Sequence, residues 1–282
     1  MKELAAGWVQ RRALDSWSDY LLDCEDQLTA SGEINFQIMA ERIKKGKQTP
    51  LSEYIGVLNG FKLSSEGSSF LEGLKGTGTL FLENHTIQGP INGSWKLFAT
   101  NYLIKKMTGK EIRWISGQNK STTQRFFRHP IIESHRAILN RGNPIGKSAN
   151  SIPVGEGNGT KGIKLILKAF SDQESVGLYP EGEEHRELIR GDPKAGGIIL
   201  FAARKNIPII STSAWFGENT CYLSFTLLDN EFIEALGTSP GRENNKQDIV
   251  DYAMAEIAQN MPRELRGYYQ DFYVPIPANP AK

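Results

Sequence analysis

From Thr79 onward the chain alternates short apolar, β-branched or aromatic runs with longer segments of helical period, and this alternation limits the fold more than any other feature. Thr79–Glu83, Glu111–Ile115, Asn150–Val154, Val176–Tyr179 and Ile207–Ser211 read as strands. Between them, helices are expected at Ser94–Met107, with Trp95, Phe98, Ala99 and Tyr102 on one face, near Thr122–Asn140, and over a segment burying Ile163, Ile166, Leu167 and Phe170. A further helix is expected at Lys194–Lys205, and Tyr222–Leu227 adds an antiparallel strand. The order predicts an α/β fold, a mostly parallel central sheet with helices on both faces. Residues 1–72 read as a helical amino-terminal segment, because Trp17, Tyr20, Leu21 and Cys24 fall on one stripe. The Ser- and Gly-rich stretch Leu63–Gly78 marks its boundary with an α/β domain over 73–282, whose last helix runs from Asp248 to about Tyr269.

Charge narrows the partners. Thirty-three basic residues against thirty-two acidic ones give a formal charge of +1 in 282 residues, so no global field points to nucleic acid. Two distant cysteines, Cys24 and Cys221, build no disulfide framework, and neither reads as a nucleophile or metal ligand. The opening residues lack the apolar core of a signal peptide and the longest apolar runs are too short to span a bilayer, so a cytoplasmic chain is expected, touching membrane only at its surface. A local excess does occur between Lys105 and Arg128, where seven basic residues stand against Glu111 alone. That segment suits coenzyme A phosphates, an acidic carrier protein or anionic headgroups, or is simply a solvated face.

In open α/β sheets, ligands bind in the crevice outside the carboxyl ends of the strands. Three such ends carry candidate chemistry: Asn84-His85, the Gly-rich Gly155–Gly162, and Tyr179-Pro180-Glu181-Gly182. His85 is the side chain whose ordinary pKa suits proton transfer near neutrality.

The order and spacing of these blocks resemble the glycerolipid acyltransferase superfamily of lysophosphatidate type, over roughly residues 76 to 228. An Asn-His pair ends a strand at His85; Ser151–Val154 stands where the family's second block would be; Val176–Gly182 looks like its strand and Pro-Glu-Gly turn; Lys194-Ala195-Gly196 and Ile207–Ile210 look like its Lys-x-Gly and closing strand. The resemblance implies acyl transfer from acyl-coenzyme A or acyl carrier protein to a hydroxyl of a lysophospholipid or other lipid-like acceptor. His85 would be the general base. Asn84, Pro180, Glu181, Gly182, Lys194 and Arg186 would line the substrate side, with backbone amides near Gly182 for the oxyanion. No metal or resident cofactor is implied; the acyl thioester is a co-substrate.

The chain departs from that family at named positions. The carboxylate expected five residues after the histidine is Pro90, the second block has no arginine near Val154 or Gly155, and Glu183-Glu184 replace a Thr-Arg pair. Glu83, Glu181, Glu183 and Glu184 are the candidate carboxylates to replace the missing one, and Arg186, Arg190 and Lys194 are the nearby cations. Two other readings stay open: a non-catalytic lipid- or acyl-chain-binding protein on the same scaffold, and a dinucleotide-dependent oxidoreductase built on Gly157, Gly159 and Gly162, which follow a strand and open a helix.

Overall fold

A computed structural model describes residues 50–52, 62–86, 88, 93–117, 151–154, 159–217, 220–238 and 245–272. Seven strands form one sheet: β1 (Lys62–Glu66), β2 (Leu80–Glu83), β3 (Ile112–Gly117), β4 (Ile152–Val154), β5 (Ser175–Leu178), β6 (Ile209–Gly217) and β7 (Thr220–Leu227), in the spatial order β1-β7-β6-β2-β5-β3-β4. From β4 to β6 every pairing is parallel; β7 turns back antiparallel on β6, and β1 lies parallel to β7. The five described α-helices are α1 (Gly93–Thr108), α2 (Gly159–Ser171), α3 (Pro193–Arg204), α4 (Asn230–Thr238) and α5 (Asn245–Gln259).

β2 lies at the centre of the seven-stranded sheet and is buried on both faces. Alternation sends Leu80 and Leu82 to a core shared with α2, α3 and α5, and Phe81 to a second core shared with Phe98, Ala99, Leu103 and Ile104 of α1. Helices therefore cover both faces, as the alternating pattern requires. A topological consequence fixes where a ligand would bind. Adjacent strands β2 and β5 feed α1 and α3, which pack on opposite faces, so the crevice beyond their carboxyl ends is a switch point.

Several expectations need correction. The end of the segment read as helical is strand β1 followed by a 3-10 turn at Ser68–Leu74, so this part of the Ser- and Gly-rich stretch belongs to the sheet. β1 is mostly exposed on both sides and carries no alternating apolar signal, which is why periodicity missed it. The remaining amino-terminal residues 1–49 and 53–61, and the helix expected near Thr122–Asn140, lie outside the described residues. On α2, Ile166 and Phe170 are buried as expected, whereas Ile163 and Leu167 are exposed. The sheet instead receives the stripe Gly162, Ile166, Ala169 and Phe170, because Gly162 comes so close that a Cβ would stand 2.7 Å from Val154 Cγ1. The last helix stops at Gln259; Pro262 and two short 3-10 turns follow, Arg263–Leu265 and Gly267–Tyr269.

Candidate functional site

His85 leaves the end of β2 and Glu181 follows β5, and the two meet at the switch point. The His85 backbone N–H donates to Glu181 Oε2 at 2.8 Å. The His85 carbonyl in turn accepts from the His185 N–H at 3.2 Å, next to a parallel bridge between Thr86 and His185. Both sides of the crevice are thus stitched by backbone, so the imidazole is held by its main chain as well as by packing. Its ring stacks on Tyr179 with centroids 4.1 Å apart, and Tyr179 stacks on Trp114 at 4.8 Å. Gly177 makes the stack possible: a Cβ there would lie 2.5 Å from the Trp114 ring.

Beneath the rim lies a buried polar cluster on the α1 face. Glu83 accepts from Thr100 Oγ1 at 2.5 Å and from the Tyr179 hydroxyl at 3.4 Å. Lys96 is 1 % exposed and donates through Nζ to the Thr86 carbonyl at 2.5 Å and to Thr86 Oγ1 at 2.8 Å. Lys96 and Thr100 stand one helical turn apart on α1, so one face of that helix delivers both.

Burial governs the ionisation of these groups. It pushes the carboxyls of Glu83 and Glu181 up, to about 7 and about 8, with the nearby Lys96 charge working against the rise. The Lys96 ammonium is pushed down to about 8, again by burial. The His85 ring falls to about 4, first because burial disfavours the imidazolium, then because Lys96 and His185 add positive charge nearby. At neutral pH the imidazole is therefore uncharged with a free lone pair. The residue as a whole is only partly buried, while its Nδ1 is shut off from solvent.

Among the described residues neither His85 Nδ1 nor Glu181 Oε1 has a hydrogen-bond partner, although both are buried. Natural structures leave few buried polar atoms in that condition, and those few call for an explanation. Two of them on the residues that clasp across the crevice point to a ligand-handling site.

The other candidates divide. Asn84 is fully buried and pins β2 to β6: its amide donates to Ala214 O at 2.8 Å and Thr86 Oγ1 at 2.8 Å, and its Oδ1 accepts from Ala214 N at 2.6 Å. Its expected role on the substrate side gives way to a structural one. Pro180 is buried and its carbonyl accepts from Asp192 N at 2.8 Å, which ties the start of α3 to the corner. Gly182 takes φ +73°, the left-handed conformation that suits glycine, but its N–H closes the turn onto Tyr179 O at 3.1 Å. That amide is engaged, so of the backbone amides expected near Gly182 to hold an oxyanion, Gly182's own is already spent on the turn. Lys194 has a side chain 92 % exposed and approaches Asp192 at 3.9 Å, clear of the crevice floor. Gly196 lets α5 come close: a Cβ would lie 2.2 Å from Lys246 O. Arg190 is held by Asp251 at 2.8 Å and lies over the Tyr268 ring, which makes it part of the α5 packing.

Of the carboxylates considered as replacements for the one that Pro90 displaces, Glu83 points into the α1 face and Glu181 holds backbone; Glu183 pairs with His185 at 3.8 Å. None of these contacts reaches the His85 ring. Pro90 and Gly157 lie outside the described residues, while Gly159 opens α2 and Gly162 has the packing reason already given.

Arg186 lies in the wall of a cleft of about 760 Å³ at the same rim, with Gln88, Trp215, Phe216, Pro262, Glu264 and Leu265 among its neighbours. Gln88, three residues past His85, is locked to β6 by paired bonds with the Phe216 backbone, 2.7 and 3.1 Å long. Mostly apolar walls with a few polar groups are what small-molecule sites present. The basic segment beginning at Lys105 sits elsewhere. Lys110 donates to the carbonyls of Gly76 at 2.8 Å and Gln173 at 2.6 Å, and Arg113 pairs with Glu174 at 2.6 Å, all at the opposite rim. Lys120, Arg125 and Arg128 lie outside the described residues.

Lys96, Trp114 and Gln88 were not legible as site residues, and Tyr179 was legible only as part of a strand end, not as the ring on which His85 stacks. A lysine inside a helix reads as solvated, and its burial becomes visible only when Thr86 is seen across from it. Cys221 is buried, with its thiol pushed up to about 12 by burial, so it is no nucleophile. Among the described residues no group of three His, Cys, Asp or Glu side chains is placed to hold a metal, and no helix is long and apolar enough to cross a membrane. No family model and no curated protein matches the chain.

Proposed function

We propose that this crevice transfers an acyl group from a coenzyme A or acyl carrier protein thioester to a hydroxyl of a lysophospholipid or similar amphiphile, with His85 as general base. The observation that carries the reading is the 2.8 Å bond from the His85 N–H to Glu181, which joins two of the four blocks of the acyltransferase resemblance at one switch-point corner. In the reaction, the acceptor oxygen attacks the thioester carbonyl carbon as its proton passes to the imidazole. The tetrahedral intermediate then expels the thiolate, which takes that proton back. A ring neutral at pH 7 begins the cycle in the right state. The cleft beside it, with Arg186 and Glu264 set among Trp215, Phe216 and Leu265, suits a ligand that combines an apolar chain with a polar head.

One observation favours a second reading, binding of acyl chains or lipids without turnover. Glu83 and Glu181 direct their printed hydrogen bonds to Thr100 and to the His85 backbone and not to the imidazole, so neither supplies through those bonds the ring-orienting carboxylate of a catalytic triad. Thiol release from a long-chain acyl-coenzyme A in the presence of lysophosphatidate separates the two. Acyl transfer predicts release that falls by about 100-fold or more in His85→Ala. Equal background release from both proteins, with acyl-coenzyme A still bound, leaves the binding reading alone.

A further inference from the structure

Lys96 sits where stability alone would not place a lysine. It is the fourth residue of α1, in the first turn, where the unpaired N–H groups of a helix make the potential positive, and its side chain is buried. Taking an ammonium out of water is costly unless a counter-charge meets it, and among the described residues no carboxylate lies in ion-pair contact with Nζ. Its hydrogen bonds go to Thr86, the residue after His85: to the carbonyl, and to Oγ1 at 2.8 Å. Thr86 Oγ1 also accepts from Asn84, the residue before His85, at 2.8 Å, and Thr86 bridges His185. His85 is thus flanked by two residues that Lys96 helps to lock. A side chain that breaks two local rules beside a crevice marks a place where function outweighs stability.

We propose that Lys96 is a positioning residue for His85: from inside the α1 face it clamps the turn that carries the imidazole, through Thr86, and it sets a fixed positive charge near the ring. The clamp keeps the ring against Tyr179, because a turn free to move would break the 4.1 Å stack. A neutral donor could supply the same bonds at less cost, so the charge is what distinguishes a lysine here. It opposes an imidazolium, and the ring therefore stays neutral well below pH 7. Neighbouring groups do not cancel it. Burial holds Glu83 of β2 and Glu181 after β5 protonated below about pH 7, and Glu184 is exposed to water. The Cys221 thiol of β7 and the Tyr179 hydroxyl are pushed up by burial and stay uncharged, while His185 acts on the ring in the same sense as Lys96. The inference deepens the reading of His85 as general base and rests on it only for the effect on rate.

Nitrogen NMR titration of the His85 ring and hydrogen exchange of its amide test this without substrate, on the full chain and on Lys96→Met and Lys96→Gln. With the wild-type ring ionising at about 4, about a tenth of it is charged at pH 5. Both variants lack the neighbouring charge and should bind the proton about ten-fold more tightly, which leaves about half the ring charged there. Glutamine keeps a donor for Thr86 and methionine does not. Relative to Val176 in β5, the His85 amide should therefore exchange about ten-fold faster in Lys96→Met and within about two-fold of wild type in Lys96→Gln. Thiol release should follow, with kcat about ten-fold lower in Lys96→Met and KM within about two-fold. A wild-type ring that titrates near the ordinary histidine value overturns the proposal whether or not either variant folds. So does a ring unmoved in both variants, or an amide equally protected in all three proteins. No thiol release from any of the three, with ring and amide responding as stated, would sink acyl transfer and leave the hold of Lys96 on His85 in place.

Discussion

His85 depends on its neighbours more than on its own chemistry. Glu181 holds its backbone through one oxygen, and burial keeps that carboxyl protonated near neutrality, at about 8. A glutamine retains the accepting oxygen and the neutral state. Glu181→Gln is therefore expected to keep activity within a few-fold of wild type, whereas Glu181→Ala, which leaves a buried N–H unpaired at a cost of about 1–3 kcal/mol, should lose about ten-fold or more in kcat. Glu83 offers a test by pH. Its folded pKa, about 7, lies above the ordinary carboxyl value, so its protonation favours the native state below the unfolded pKa and that contribution is lost as pH rises through about 7. Glu83→Gln removes the dependence. Melting curves should show the variant gaining on wild type between about pH 5 and about pH 8, and a gap that widens the other way would count against a buried neutral carboxyl. These roles were only partly legible. The Asn-His and Pro-Glu-Gly pairs could be read as strand ends, but Asn84 proved a pin for β6, and Lys96 hid as an ordinary helical lysine.

Close approaches between elements hold the crevice open at its working geometry. Gly177 leaves room for Trp114, which supports Tyr179, which supports the His85 ring. Gly177→Ala should disturb the whole stack, with about 1–3 kcal/mol lost on denaturant unfolding and a loss of activity alongside it. Gly196→Ala would place a methyl against the Lys246 carbonyl, lowering stability by a similar amount while sparing the His85–Glu181 contact. Unchanged unfolding midpoints would refute the packing argument for either glycine. Strands β2, β5 and β6 were readable because buried parallel strands are short continuous apolar runs. β1 was not, being polar and at the edge. On α2 the apolar stripe was real but its burial was set by Gly162 and Ala169, small residues that let the helix settle on β4, so Ile163 and Leu167 fell outside the contact.

At the scale of the molecule, the alternation of strands and helices foretold a mostly parallel sheet covered on both faces, and the strand order adds what alternation cannot: β2 and β5 are neighbours although ninety-odd residues separate them. That adjacency creates the switch point, and the candidate chemistry gathers there instead of along the basic segment near Lys105. The pH profile of kcat/KM for acyl transfer, measured for wild type and His85→Gln, tests the account most directly. With the ring ionising at about 4, wild-type activity should stay level as pH falls from neutrality through 6, and His85→Gln should fall about 100-fold or more at every pH. An acid limb centred near the ordinary histidine value would contradict a buried, neutral imidazole, and equal rates in the two proteins would contradict its service as the base.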